Sequence, residues 1–374
     1  MELIDLRKIS VLVLIIFLFS AILPVTCQAE TNAAGTDTAA ASLTVEDALK
    51  LALANNTSLK AAALTLDAAS LSNDLAWDTA TGTLEDSQVA GTDTYESDSI
   101  SSMDSLYTSD YNLKSSKQTY STKLKAAKYS VYNRYYDVVA ALDDLEAARL
   151  ASEQADENLK QTQLRFELGM DTRATVYSDM QKAASAKASY DVAQQDLDKA
   201  YIAMNEYIGL DTSARPTLIR ELTYTPLDVA DPEKAFESIV SNSPSVWLAN
   251  QAVKLQKKLM GDSDSEDLDD VNLEKADLNV TTTRDTMIST TRTLYYSALS
   301  LEESYNTAVE TVKSANEALR VAKLMQEQGM STKLSVLEAE ITANSAQKSL
   351  DSISYQHGIL AMAFKEPWAY GAAD

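Results

Sequence analysis

The chain has 374 residues, with 55 acidic against 32 basic side chains and a net charge of −23. That balance excludes nucleic acid as a partner and a polybasic mode of membrane attachment. One cysteine and one histidine leave almost no thiol or metal chemistry, and 9 glycines with 6 prolines favour long helices over a sandwich or barrel rich in turns.

The N-terminus has the three-part layout of a secretory signal over 1–29. Arg7 and Lys8 are followed by an apolar run from Ile9 to Leu23, then Pro24 and the small-x-small pattern Cys27-Gln28-Ala29. The run is about 15 residues, short of the roughly 20 of a spanning helix, so a signal is preferred to an uncleaved anchor. Pro24-Val25-Thr26 matches poorly what precedes a lipidated cysteine. Cleavage after Ala29 removes the only cysteine, and residues 30–41 then form a flexible N-terminal segment.

A first helical repeat is expected over 42–208. Thr44 is a candidate N-cap with acids in the turn after it, and Asn55-Asn56 stops the helix, asparagine tolerating a left-handed turn. Thr57 or Ser58 caps a second helix to about Asp78. Residues 79–110 read as a polar insertion rich in Ser, Thr, Asp and Gly. From about Tyr111 to Leu168 there is no proline or glycine, and Leu124, Val131, Val138 and Leu145 recur every seventh residue. A sustained step of seven marks a coiled coil. Gly169 ends that helix, Asp171 is placed to cap the return helix, and the return runs to about Ile208.

After a linker over 209–230, the same order recurs over 231–366. Asp231-Pro232 and Ser243-Pro244 open two short helices. Gly261–Asp270 reads as a solvated acidic linker; it lacks the central glycine and closing glutamate of a calcium loop. A helix from about Leu273 to Gln328 keeps Leu273, Val280, Met287, Leu294 and Leu301 in a seven-residue step. Gly329 ends it, Ser331 is placed to cap the last helix, and Gly358 lies inside that helix. A tail over 367–374 follows. His357 reads as a packed helix residue, and Tyr135-Tyr136 and Tyr295-Tyr296 as helix-packing pairs.

The halves are copies. Phe166-Glu167-Leu168-Gly169-Met170-Asp171-Thr172-Arg173 answers to Gln326-Glu327-Gln328-Gly329-Met330-Ser331-Thr332-Lys333 at an offset of 160, ungapped for about 50 residues. Asn55-Asn56-Thr57-Ser58-Leu59 answers to Asn242-Ser243-Pro244-Ser245-Val246 at 187, so the first half carries about 27 extra residues between the landmarks. The fold expected is all-α: two tandem repeats of a long antiparallel coiled-coil hairpin, with little or no β. No nucleophile–base pair, phosphate loop or metal cluster can be assembled, so neither an enzyme nor a cofactor is expected.

Taken together, the duplication, the entry run Leu43-Thr44-Val45-Glu46-Asp47-Ala48-Leu49 and the tip run Phe166 to Val176 resemble the TolC family of outer membrane efflux proteins. The second tip departs from the pattern only in placing Gln326 in the aromatic slot. The resemblance implies an exported trimer of the cell envelope, with an outer-membrane β-barrel above a helical tunnel. It also implies that the tips meet a periplasmic adaptor. Carried over, the docking residues are Gly169, Met170, Asp171 and Thr172, with Gly329, Met330, Ser331 and Thr332. A membrane strand needs roughly 9–11 residues of outward apolar alternation. Neither 79–110 nor 261–270 supplies it, so the barrel is expected to be missing or vestigial. Two functions follow: an efflux-associated channel component, or a barrel-less structural or binding coiled coil of the envelope.

Overall fold

The computed structural model describes residues 42–90, 93–220, 224–260 and 266–372. The expected signal (1–29), the segment 30–41, and Asp262 and Asp264 of the acidic stretch lie outside the described residues.

Strand β1 (Ser42–Leu43) leads into α1 (Val45–Asn55) and α2 (Thr57–Ala90). Helix α3 (Asp93–Glu167) and α4 (Arg173–Ile208) form the first hairpin. Strand β2 (Thr217–Leu218) precedes α5 (Pro232–Ser241) and α6 (Pro244–Leu259). Helix α7 (Glu266–Glu327) and α8 (Lys333–Lys365) form the second hairpin, and α9 (Pro367–Tyr370) closes the described chain. At 75 residues α3 is about 110 Å long. Among the described residues the only sheet is β1 beside β2, parallel, with Leu43 opposite Leu218.

The seven-residue steps behave as packing seams. Val131 and Val138 are buried, as is Leu294, while Leu124, Leu145, Leu273, Val280, Met287 and Leu301 are half-buried. A step of seven keeps such residues on one stripe, and the stripe of α3 carries Val131 and Val138 into a core shared with α1 and α4.

Several boundaries move. Residues 79–90 and 93–110, expected as a polar insertion, belong to α2 and α3, so α2 runs on past about Asp78 to Ala90 and α3 begins at Asp93, well before Tyr111. The acidic stretch expected as a linker is helical from Glu266, where α7 begins. Both stretches are poor in helix-breaking proline, and acidic residues suit the first turn of a helix. Asn55-Asn56 makes no left-handed turn. Asn56 is extended (φ −61°, ψ 122°), and its Oδ1 accepts from the Leu59 amide at 3.1 Å. Asn56 therefore caps α2, in place of Thr57 or Ser58, and a short polar side chain makes that a single-residue joint.

The largest core lies where the short helices meet the long ones. Val45, Ala48 and Ala52 of α1 pack on Val131, Tyr135 and Val138 of α3 and on Tyr201, Met204 and Ile208 of α4. The Tyr135 hydroxyl lies 2.8 Å from the carbonyl oxygens of both Leu43 and Ile219, pinning β1 and β2 to α3. Its repeat mate Tyr295 packs instead with Phe236 of α5 and Phe364 of α8. Tyr136 is buried but Tyr296 is 61% exposed, so only the first of the two tyrosine pairs packs with both rings. Helix α9 adds Ala369 to a cluster with Tyr129, Leu294 and Ala363. His357 is buried, with Nε2 3.1 Å from Glu302 Oε1. The same oxygen accepts the Leu227 amide at 2.6 Å, which ties the connection between the halves to α7.

Candidate functional site: the hairpin tips

Both tips are built the same way from the backbone outward. Gly169 has φ +73° and Gly329 φ +72°. The Gly169 amide donates to Phe166 O at 2.9 Å and the Met170 amide to Arg165 O at 2.7 Å. The second tip repeats this with Gly329 to Gln326 and Met330 to Met325, at 2.9 and 2.8 Å. This interlocked pair of bonds satisfies the last carbonyls of the incoming helix, and it forces its central residue into the left-handed region that glycine enters freely. A Cβ built at either glycine meets nothing within 4 Å, so the backbone turn alone requires these glycines.

The return helices are capped by Thr172 and Thr332, not by Asp171 and Ser331. Thr172 Oγ1 accepts from the Thr175 amide and Thr332 Oγ1 from the Ser335 amide, each at 3.2 Å. The expected caps stand one residue early, and extended backbone at the threonines aims their hydroxyls at the free amides of the first turn. Asp171 takes a different part. Its Oδ1 accepts from the Thr172 amide at 2.8 Å, and its other oxygen lies 3.6 Å from Arg165. Hydrogen bonds from the Thr175 side chain and the Thr172 backbone, with Arg165 nearby, hold its carboxyl below the usual aspartate value.

The eight sequence-predicted tip residues thus fall into two compact turns. Those turns expose apolar side chains among charged ones: Met170 and Met330 are each 66% exposed, with Leu168, Phe166, Leu324 and Met325 exposed beside them and Glu167, Arg173, Glu327 and Lys333 exposed as well. Sequence reasoning missed what links the two hairpins. Lys333 Nζ lies 3.1 Å from Glu153 Oε1 and 3.6 Å from Glu157 Oε2, both on α3. The second tip therefore packs alongside α3 some turns before the first tip is reached. Further up, Tyr355 donates to Asn133 at 2.8 Å and Lys348 pairs with Asp144. Lys333 and its partners Glu153 and Glu157 lie more than 170 residues apart in sequence, so no local signal marks this pairing.

Among the described residues no group of three or more His, Cys, Asp or Glu side chains is placed to hold a metal ion. No described helix is long and apolar enough to cross a membrane.

Residues 267–358 match the family model described as outer membrane efflux protein. Solved structures share the fold over most of their length. The outer membrane protein VceC of Vibrio cholerae is 13% identical at a TM-score of 0.58, covering 87% of this chain and 96% of its own. The CmeC outer membrane channel of Campylobacter jejuni is 15% identical at 0.59, covering 88% and 86%. The open-state MtrE outer membrane channel of Neisseria gonorrhoeae is 15% identical at 0.53, covering 88% and 89%. Comparison with curated proteins finds no match. The resemblance to the TolC family and the all-α duplicated fold are borne out, and residues 79–90 and 93–110, where the resemblance places membrane strands, are helical parts of α2 and α3.

Proposed function

We propose that this TolC-type chain is the channel component of an export assembly in the cell envelope, oligomerising along its long helices and docking its partner through the hairpin tips. The observation that carries the reading is the paired tips. Two turns nearly 160 residues apart in sequence share one hydrogen-bond scheme, and each ends in an exposed methionine. A helix end that only had to stop has no need of an exposed methionine, whereas a docking surface gains affinity from burying flexible thioethers. The partner this fits is a helical envelope protein with an apolar groove.

Oligomer mass is the first test. Light scattering on the purified mature chain, with and without detergent, is expected to give a trimer. A monomer under both conditions refutes the channel reading. Replacing Gly169 and Gly329 by tryptophan is expected to abolish co-purification of an adaptor while leaving the trimer intact.

A second reading has its own support. The helical course of 79–90 and 93–110 leaves no described strand to build a barrel, which favours an envelope scaffold that conducts nothing. Conductance in planar lipid bilayers separates the two: stepwise currents from the trimer favour the channel, and a silent trimer favours the scaffold.

A further inference from the structure

Beside α1 lies a cavity of about 350 Å³. That is within the range of small-molecule sites, roughly 300–1,000 Å³. Its wall is unusual in three respects.

First, it is aromatic. Tyr132, Tyr136 and Tyr355 line it, with ring centroids 6.5 Å apart for the first two and 3.9 Å for Tyr136 and Tyr355. Second, its charge is one-sided. Glu46 is the only carboxylate in the wall, and no lysine or arginine lines it. Burial pushes the Tyr136 hydroxyl up to about 12, with the neighbouring tyrosines and Glu46 adding to the shift, so the ring stays neutral. His357 also lines the cavity, but its Nε2 is engaged by Glu302. Tyr132 has a lysine ammonium 5.9 Å from its ring centroid, that of Lys128, which lies outside the wall. Among the described residues no lysine or arginine is placed over the Tyr136 or Tyr355 ring.

Third, Gly358 lines the cavity from the middle of α8. A glycine inside a helix costs about 1 kcal/mol relative to alanine. Here neither a positive φ nor a close approach calls for it: a Cβ built there meets nothing within 4 Å. What its missing side chain leaves is open space in the wall of the cavity.

We propose that this cavity binds a small organic cation, a quaternary or protonated amine with an apolar body, its charge set against the Tyr136 and Tyr355 rings and Glu46. Ring faces carry partial negative charge and attract ammonium groups without the desolvation demanded by a buried ion pair. The apolar body rests on Ile359 and Met362 across the space that Gly358 leaves open. This site stands on different observations from the export reading, so either can fail without the other.

The test is calorimetric titration of the purified full chain with benzyltrimethylammonium, and with phenylacetate as the anion of similar size. Saturable binding of one cation per chain is expected, with no phenylacetate binding. Glu46→Gln is expected to weaken the cation about fivefold, the weight of one partly exposed charge pair. Gly358→Leu, filling the cavity, is expected to abolish binding while far-UV circular dichroism stays helical. If that variant fails to fold, Gly358→Ala with Tyr355→Leu decides: the first is expected to fold and bind, the second to fold and bind at least tenfold more weakly. No saturable binding to the wild type overturns the proposal. So does equal affinity for phenylacetate, or a folded cavity-filling variant that binds as before.

Discussion

Gly209 ends α4 with φ +75°, and a Cβ built there falls 2.4 Å from Asn55 Cβ at the end of α1. Asn55 Cβ is fixed to the backbone and cannot swing away. Asn55 and Asn56 also reach across to the carbonyls of Ile208 and Tyr207, at 3.3 and 3.5 Å, so α1 and α4 are fastened at this point. Gly209→Ala therefore meets two costs. The left-handed backbone contributes about 1 kcal/mol for any residue with a Cβ. The overlap with Asn55 adds about 1–3 kcal/mol of the kind seen on overpacking. Gly169→Ala and Gly329→Ala meet only the first, since open space surrounds both. Urea unfolding followed at 222 nm reads the difference as a shift in midpoint at constant slope. The expected order is a loss of about 2–4 kcal/mol for Gly209→Ala against about 1 kcal/mol at either tip. Asn55→Gly removes the opposing Cβ, so in that background the Gly209→Ala cost is expected to fall to about 1 kcal/mol. Equal losses at all three glycines, or a Gly209→Ala cost unchanged by Asn55→Gly, would refute the steric argument.

Other consequences follow from the same geometry. Thr172→Ala and Thr332→Ala are each expected to lose about 1 kcal/mol in urea unfolding through the lost cap, whereas Ser331→Ala loses a few tenths at most. Tyr135→Phe removes the hydroxyl set between the Leu43 and Ile219 carbonyls, of which Leu43 keeps the Ile219 amide as donor at 3.1 Å; a loss of about 0.5–1.5 kcal/mol is expected, with faster amide exchange in β1 and β2. Asp179 accepts from Lys182 at 2.8 Å and from Thr162 at 2.7 Å, and these bonds hold its carboxyl below the usual aspartate value. A carboxylate with a depressed folded pKa stabilises above its unfolded value and loses that stabilisation as pH falls through the folded one. Asp179→Asn is thus expected to be less stable than the wild type above about pH 4, with the gap closing in more acid solution. A gap that persists unchanged at pH 2 would show that the charge is not its source.

The two tips were readable residue by residue, because a helix-ending glycine followed by a small polar cap is a local signal with a local cause. Which side chain makes the cap was not readable. Asp171 and Thr172 both suit the role by type, and the choice depends on where the left-handed turn leaves the next backbone amides. The helical course of 79–90 and 93–110 was misjudged for a related reason. Serine, threonine and aspartate favour turns only when nothing else decides, and here α2 and α3 pack along each other and override that weak preference.

What the chain by itself determined is the repeat: the seven-residue steps, the glycine breaks and the offset between copies dictate two long hairpins whatever surrounds them. Only the tertiary structure decided how the copies differ. Tyr135 clamps the strand pair while Tyr295 packs on phenylalanines, and Tyr136 is buried while Tyr296 faces out. The tyrosine-walled cavity beside Glu46 arises in the same way, from α1, α3 and α8 converging. Identical residue types in register along one sequence carry no record of which neighbours approach from elsewhere, and it is those neighbours that set burial, hydrogen bonding and the shape of the space left between helices.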